Sequence, residues 1–480
     1  MSYDQEIGQG RISVLLGGTL QGSDANREAV LASGYQNDAL LGDLSAAGSI
    51  RSQGTSDNQY RYSAIFTRLN YTWAGKYILN LTGRRDGSSR FGPGQQFGNF
   101  GAIGAAWLFS EEKVIANLLP LLSFGKLRAS YGVVGNDQIG DYQYLSSYSP
   151  VDPYNENQSI TPTRAANPEY SWETTRKLEF GLELGFFDDR IRLNSSWYRN
   201  RTFDQLIGRP LSATTGYNSQ QFNLPATVEN RGWEFELTTV NVVSGEFRWR
   251  FDFNLSFPEN ELLEFENIEA FPEFDAFYEV GRPILGRKEF QSLGVNPETG
   301  TYDFVDFNRD GVIDVSDRQF FVANVQEFYG GLENSFSYKG LQLDFHLFFV
   351  KQEAVDFTVS NFSSSARGGG FVPTTRVLER WQNPGDVTDL PRTSERLGTS
   401  NRRNIPNARV DASFIRLQNV SLSWQLPPAW TAAARIENAR IYLQGQNLLT
   451  IMDYDGWDPE TQNTNLPQLR MITTGIQLTF

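Results

Sequence analysis

The chain closes on Leu469–Phe480, LRMITTGIQLTF. Ile472, Thr474, Ile476, Leu478 and Phe480 fall on one face of this segment, and Thr473, Gly475, Gln477 and Thr479 on the other. A period of two is the mark of a strand with one apolar and one polar side. Chain ends normally fray in water. An apolar strand face that runs out to a terminal aromatic residue therefore fits a wall in which Phe480 turns toward lipid. Ile476, Leu478 and Phe480 read together as the barrel-assembly signal of such a wall. Asp411–Phe480 as a whole reads as a long strand, a short connection, a hairpin and this closing strand.

The same alternation recurs upstream, giving about fourteen long strands. They are Ile12–Leu20, Tyr60–Trp73, Tyr77–Arg84, Asn99–Phe109, Lys126–Val133, Lys177–Phe186, Ile191–Tyr198, Trp233–Thr238 and Phe247–Phe257, then Leu332–Tyr338, Leu341–Lys351, Asp411–Leu426, Ala439–Thr450 and Leu469–Phe480. Tyr60–Trp73 carries apolar residues on both faces, so its sides stay unassigned. In Asp411–Leu426 the apolar set moves from Ile415 and Leu417 to Val420, Leu422 and Trp424, which predicts a β-bulge near Gln418–Asn419.

Alternation alone serves a barrel in lipid and a sandwich in water equally well. Strand length and loop pattern separate them. Many strands run about nine to thirteen residues, longer than soluble strands and matched to a tilted membrane crossing. Links at Ala74–Lys76, Phe187–Arg190, Val243–Gly245 and Lys339–Gly340 are tight, whereas Gln21–Asn58, Gly135–Ser171, Phe203–Pro225, Pro258–Phe328 and Phe357–Val410 are long. Short turns on one side and long loops on the other is the outer-membrane pattern. The fold class is all-β, an antiparallel transmembrane β-barrel with long extracellular loops.

The totals narrow the function. No apolar run approaches the ~18 residues of a membrane-spanning helix, and zero cysteines leave no thiolate metal site or disulfide scaffold. A net charge of −14 argues against nucleic acid. Met1-Ser-Tyr-Asp-Gln has no basic and apolar leader, which suggests that the chain begins inside a longer protein.

Several blocks resemble one family. Phe414–Pro427 (FIRLQNVSLSWQLP), Arg440–Glu460 (RIYLQGQNLLTIMDYDGWDPE) and Leu466–Phe480 are similar to the C-terminal end of SusC-like (SusC/RagA) transporters. Gly83–Gly92 (GRRDGSSRFG), Lys126–Asn136 (KLRASYGVVGN), Asn167–Thr175 (NPEYSWETT) and Val228–Leu237 (VENRGWEFEL) extend the likeness from about Tyr60 to the end. The resemblance implies a TonB-dependent outer-membrane importer of glycans, or of peptide-sized nutrients, in a Bacteroidetes-type cell. It implies a SusD-like surface lipoprotein as cap, TonB-ExbB-ExbD as energy source acting through a plug, and a barrel of about 22 strands. On this reading residues 1–480 are the C-terminal part of the barrel, with the plug and first strands outside the chain.

Few residues carry reaction chemistry. Asp306, Asn308, Asp310, Val312, Asp314 and Asp317 follow a calcium-loop spacing: side-chain oxygens at positions one, three and five, a backbone carbonyl at seven, and acids at nine and twelve. Asp at twelve, in place of Glu, weakens the bidentate closure. The expectation is Ca2+ pinning the large outer loop Pro258–Phe328, against an Asx/Gly turn without an ion. His346, the only histidine, falls with Gln342 and Asp344 on the polar face as a hydrogen-bonded wall residue. Glu179 and Glu183, beside Lys177, read as polar lining rather than a glycosidase pair. With one His and no Cys, neither a catalytic triad nor a zinc site assembles, so no enzyme is expected. Tyr142, Tyr144, Tyr148, Tyr154, Trp381 and Trp457 are the candidate ligand or partner contacts, because rings in long loops offer apolar area to a sugar. A secreted glycan-binding β-domain, acting as a binding module or a glycosidase, and a passive porin or adhesin barrel remain the alternative readings.

Overall fold

The computed structural model describes residues 1–154, 157–323, 325–359, 374–392, 409–433, 435–463 and 465–480, and the side chains of 152–154, 157, 158 and 433 are not described. Sixteen strands share one sheet whose neighbours follow chain order. All fourteen expected strands are present, and a fifteenth, Ser2–Ile7, pairs antiparallel with Gly10–Ser33. The sixteenth is the short Arg409–Asp411, which pairs with Leu341–Val355. No helix among the described residues is long and apolar enough to cross a membrane.

The chain divides into two units. The first comprises residues 1–105, 130–177 and 201–226. Its register assigns the faces of Tyr60–Trp73 that sequence left open. Trp73, Tyr71 and Leu69 lie opposite Tyr77, Leu79 and Leu81 on one side and opposite Gly10, Ile12 and Val14 on the other. The intervening Thr72, Asn70 and Arg68 face Ile78, Asn80 and Thr82. Phe66 blurs the pattern: it lies on the polar face, where Gly17 leaves room for its ring, since a Cβ there would stand 2.5 Å from the ring.

One expectation is corrected here. Gln21–Asn58 is mostly not a loop, because Gly10–Ser33 and Ser49–Trp73 form one hairpin of 24- and 25-residue strands. About 10 residues suffice to cross a bilayer at a tilt, so more than half of this hairpin stands clear of the apolar band. There both faces are wet, and GSDANREAVLAS has no reason to alternate. Gly135–Ser171 and Phe203–Pro225 are likewise built rather than loose. Ser147–Tyr154, Asn157–Ala165, Gln205–Pro210 and Ser219–Leu224 form a four-stranded sheet, in which Ser219–Leu224 pairs parallel with Asn157–Ala165. A core of Phe91, Phe100, Tyr170 and Trp172 lies in the same unit. The GRRDGSSRFG and NPEYSWETT blocks supply three of its four rings.

The second unit comprises residues 106–129, 178–200 and 227–480. Its strands include Phe247–Phe265, Gln326–Tyr338, Leu341–Val355, Phe414–Gln425, Asn438–Met452 and Met471–Thr479, antiparallel in that order. Their register lines up apolar rows across all six. Phe247, Tyr338, Leu341, Trp424, Ile441 and Ile476 form one; Trp249, Phe336, Leu343, Leu422, Leu443 and Thr474 form the next. None of these side chains is buried; Leu341 is 44% and Leu443 47% exposed. A contiguous exposed apolar band of this extent is what a lipid-facing surface looks like. The expected bulge is present: pairing skips Gln418 between Leu417 and Asn419, which keeps both halves of the strand facing the same way. Tight turns end the rows, and Lys339 and Gly340 both adopt positive φ. A Cβ on Gly340 would stand 2.7 Å from the Gln425 carbonyl oxygen, so glycine is required there.

Candidate functional site

The polar rows lie on the other face of the same strands. Arg250, Ser335, Asp344, Ser421, Gln444 and Thr473 form one; Asp252, Glu333, His346, Asn419 and Gln446 form the next. From Arg250 and Asp252 as far as Asn419 and Ser421 they border a cavity of about 830 Å³. Within it Arg250 forks onto Asp252 with bonds of 2.7 and 2.8 Å, and the Thr238 hydroxyl donates to the same carboxylate at 2.6 Å. His346 stands among these groups as expected. Its ring occupies space that Gly331 leaves open, since a Cβ there would lie 2.7 Å from Cε1. Its lining is polar and charged, that of a wetted wall.

Glu179 and Glu183 are neutralised by their neighbours. Lys126 reaches Glu183 at 3.1 Å, and Arg128 bonds Glu179 and lies 3.4 Å from Glu183. Two carboxylates answered by two cations are not poised to act as general acid and nucleophile.

Higher along the same unit a second cavity of about 980 Å³ is lined by Tyr198, Tyr329, Asn260, Gln352, Glu353 and Glu460, among others. One wall is fixed by a buried ion pair that sequence reading missed. Arg416 is 2% exposed. Its guanidinium donates to both Asp458 oxygens at 3.0 and 3.1 Å, to Glu460 at 2.6 Å and to the Thr450 hydroxyl at 3.2 Å. Gln352 adds a 2.6 Å bond to the Pro459 carbonyl. The GWDPE loop is thereby clamped onto the Phe414–Gln425 strand. Arg416 and Asp458 both stand in the quoted family blocks, yet 42 residues separate them, and only an unpaired arginine within a strand hinted at a distant acid.

The aromatic candidates divide. Tyr142 accepts a bond from the Gln59 amide at 3.0 Å, and Tyr144 packs against the Phe91–Trp172 core. Trp381 donates to the Pro297 carbonyl at 2.7 Å and lies against Gly300. These three help to hold loops. Tyr148 is exposed and meets Tyr217 edge-on. Trp457 is half exposed over Phe357. The Tyr154 side chain lies outside the described residues.

Pro258–Phe328 is better bounded as 266–325, because its flanks extend the sheet strands. Gly286–Glu289 pairs with Phe320–Ala323, and Ser292–Val295 with Tyr302–Phe304. In Asp306–Asp317, Asp306 accepts from the amides of Arg309 and Gly311, and Asp310 from that of Val312. Asp314 accepts from the Ser316 hydroxyl and amide, which hold its carboxyl below the usual carboxylate range. Fully buried Asp317 accepts from Phe307 and Asp314 amides and closes a capping box with Asp314. The carboxylates thus hold up the loop's own backbone. Among the described residues no group of three or more His, Cys, Asp or Glu side chains is gathered to hold a metal.

Two-faced strands with apolar rows outward and a polar cavity inward define an outer-membrane β-barrel wall. The chain matches the family model described as TonB dependent receptor-like, beta-barrel over residues 3–448, and it belongs to that family. TonB-dependent receptor P26 of Formosa agariphila is 30% identical over all of this chain and 52% of its own length. TonB-dependent receptor SusC of Bacteroides thetaiotaomicron is 25% identical over 87% of this chain and 43% of SusC. A structure of the RagAB peptide importer in its open-open state superposes with a TM-score of 0.79 at 23% identity, covering 100% of this chain and 54% of that one; it shows the shared fold. The chain spans about half the length of the curated relatives it matches. The SusC likeness and the barrel fold expected from sequence are borne out, and the outer membrane is where the protein resides.

Proposed function

We propose that this chain is the C-terminal barrel wall of a TonB-dependent importer for a nutrient of oligosaccharide or peptide size. TonB-ExbB-ExbD would act through a plug encoded outside residues 1–480, and a SusD-like lipoprotein would cap the long outer loops. The observation that carries this reading is the pairing of an apolar outward band with a polar face bearing two cavities, in a chain of this family. The lining of ion-paired and hydrogen-bonded wall groups supports transport rather than catalysis, and the protein is read as no enzyme. Uptake of labelled nutrient by cells carrying the intact receptor tests it. Uptake should require TonB and the proton gradient; uptake that persists without them would point to a passive porin.

Three further parts belong to this proposal. Tyr148 and Trp457, both exposed, would be the aromatic groups that touch ligand or cap. Ile476, Leu478 and Phe480 serve assembly into the membrane. Ca2+ is proposed as a structural ligand of the Asp306–Asp317 loop on the strength of its spacing alone, and calorimetry showing no uptake of calcium by the purified receptor would remove it.

A further inference from the structure

Among the described residues the short-turn end of the sheet carries two helical connections, both within the second unit and both apolar. Residues 107–122 read WLFSEEKVIANLLPLL and hold the helix Lys113–Leu118; residues 427–436 read PPAWTAAARI and hold Pro428–Ala433. Their level is set by the neighbouring turns. The Phe187 amide, in the turn 187–190, donates to the Leu121 carbonyl at 3.0 Å, and the Gln425 amide, leading into the second helix, donates to the Gly340 carbonyl at 2.8 Å. Val114, Leu118, Leu119 and Leu121 are exposed, Leu118 at 72%, and Trp430 is exposed at 61%. Val114 and Leu118 stand four apart on one face of their helix, with Lys113 and Asn117 on the next. Apolar side chains gathered in the open mark a surface that meets another surface.

The side to which each connection folds decides what that surface is. Lys126 and Arg128 turn to Glu183 and Glu179 on the polar face, so Gly125 and Leu127, which alternate with them, face outward. The Phe109 ring fills the place where a Cβ on Gly125 would stand, and Trp107 meets that ring edge-on at 5.8 Å. Trp430 likewise meets Trp424 edge-on at 5.5 Å, and Trp424 shares the lipid-facing row of Leu341 and Ile441. Both connections therefore continue the apolar outward surface at its periplasmic rim rather than folding under the bore. Indole rings favour the boundary between acyl chains and headgroups, and an amphipathic helix there sinks its apolar side about 5–10 Å. We propose that these connections lie in the headgroup boundary of the periplasmic leaflet. Val114, Leu118, Leu119, Leu121 and Trp430 insert among phospholipid chains and fix the depth of the barrel. This goes beyond import and needs only an outward side that meets lipid.

The test uses the intact receptor, free of other cysteines, in nanodiscs of phosphatidylethanolamine and phosphatidylglycerol. Leu118→Cys, Leu119→Cys and Trp430→Cys each carry an NBD fluorophore, with Asn117→Cys and Phe251→Cys as references. Variants are read when their folded gel mobility matches the parent, and any one of the first three suffices. A phosphatidylcholine bearing a nitroxide near the top of its acyl chain is mixed into the lipid, and iodide is added to the water. Labels at 118, 119 and 430 should lose at least about twofold more emission to the nitroxide than the label at 117, because they sit inside the boundary. Iodide should quench 117 and spare them. Labels at 118, 119 and 430 open to iodide, with 251 quenched by lipid, would overturn the inference and leave the barrel standing. Labels that iodide reaches until the soluble periplasmic domain of TonB is added would assign the surface to a protein, and would overturn it too. A label at 251 that lipid does not quench would sink the outward side itself.

Discussion

Replacing Arg416 by Met should open the GWDPE loop without unfolding the sheet. Arg416 and Asp458 are each 3% exposed at the side chain, and four hydrogen bonds leave the guanidinium for Asp458, Glu460 and Thr450. Removing one partner of such a pair leaves a buried carboxylate uncompensated, at about 3–5 kcal/mol. The sheet itself is tied by ladders on both sides of Phe414–Gln425, whereas Gly456–Gln462 hangs on the clamp. Opening is therefore local. At 1.4 kcal/mol per tenfold, the open loop should become roughly 10²-fold or more populated. Limited proteolysis of the folded receptor in detergent reads this as faster cleavage within 456–468, with heat-modifiable gel mobility unchanged. Arg416→Met combined with Asp458→Leu should recover most of the protection, because an apolar pair of similar volume needs no counter-charge. A loop in the single variant as protected as in the parent would refute the reasoning.

Other perturbations follow from the same geometry. Trp249 donates to the Asn334 side-chain oxygen at 3.0 Å within the apolar rows. Trp249→Phe should cost about 1–3 kcal/mol for the unpaired amide, and Trp249→Phe with Asn334→Leu should recover it in denaturant unfolding. Gly300 sits at φ +69 against the Trp381 ring. Gly300→Ala should therefore free Trp381, seen as a red-shifted tryptophan emission and faster cleavage in 376–392. Asp411 is held down to about 2 by the Lys351 ammonium and then by Ser413. Its folded value lies below the ordinary ~3.9, so its contribution is present above that value and lost as pH falls toward 2. Pepsin cleavage beside Arg409–Ser413 should rise across that window, and Asp411→Asn should remove the pH-dependent part.

The wall was legible because a sheet with one face in lipid writes its period of two directly into the chain. The skipped Gln418 showed for the same reason, since a one-residue slip would turn Val420, Leu422 and Trp424 to the wrong side. Where both faces are wet, as in Gly22–Ser33, no pattern separates strand from loop. Phe66 hid the faces of Tyr60–Trp73 because Gly17 on the neighbouring strand accommodates it, a fit between chain segments far apart in sequence. Loop rings were recognisable as Tyr142, Tyr144 or Trp381, but what covers each ring depends on Gln59, Phe91 and Pro297, which local sequence does not bring near. The Arg416 clamp and the second cavity are long-range products of the register.

Alternation along Phe247–Phe257 is the most direct test of which side meets lipid. The chain has no cysteine, so single cysteines carrying spin labels can be placed at 248 through 253 of the membrane-embedded receptor. The account predicts that labels at 249, 251 and 253 collide with oxygen dissolved in the acyl chains and are hidden from an aqueous nickel chelate. Labels at 248, 250 and 252 should show the reverse. Uniform accessibility to the chelate, or the opposite phase, would contradict it.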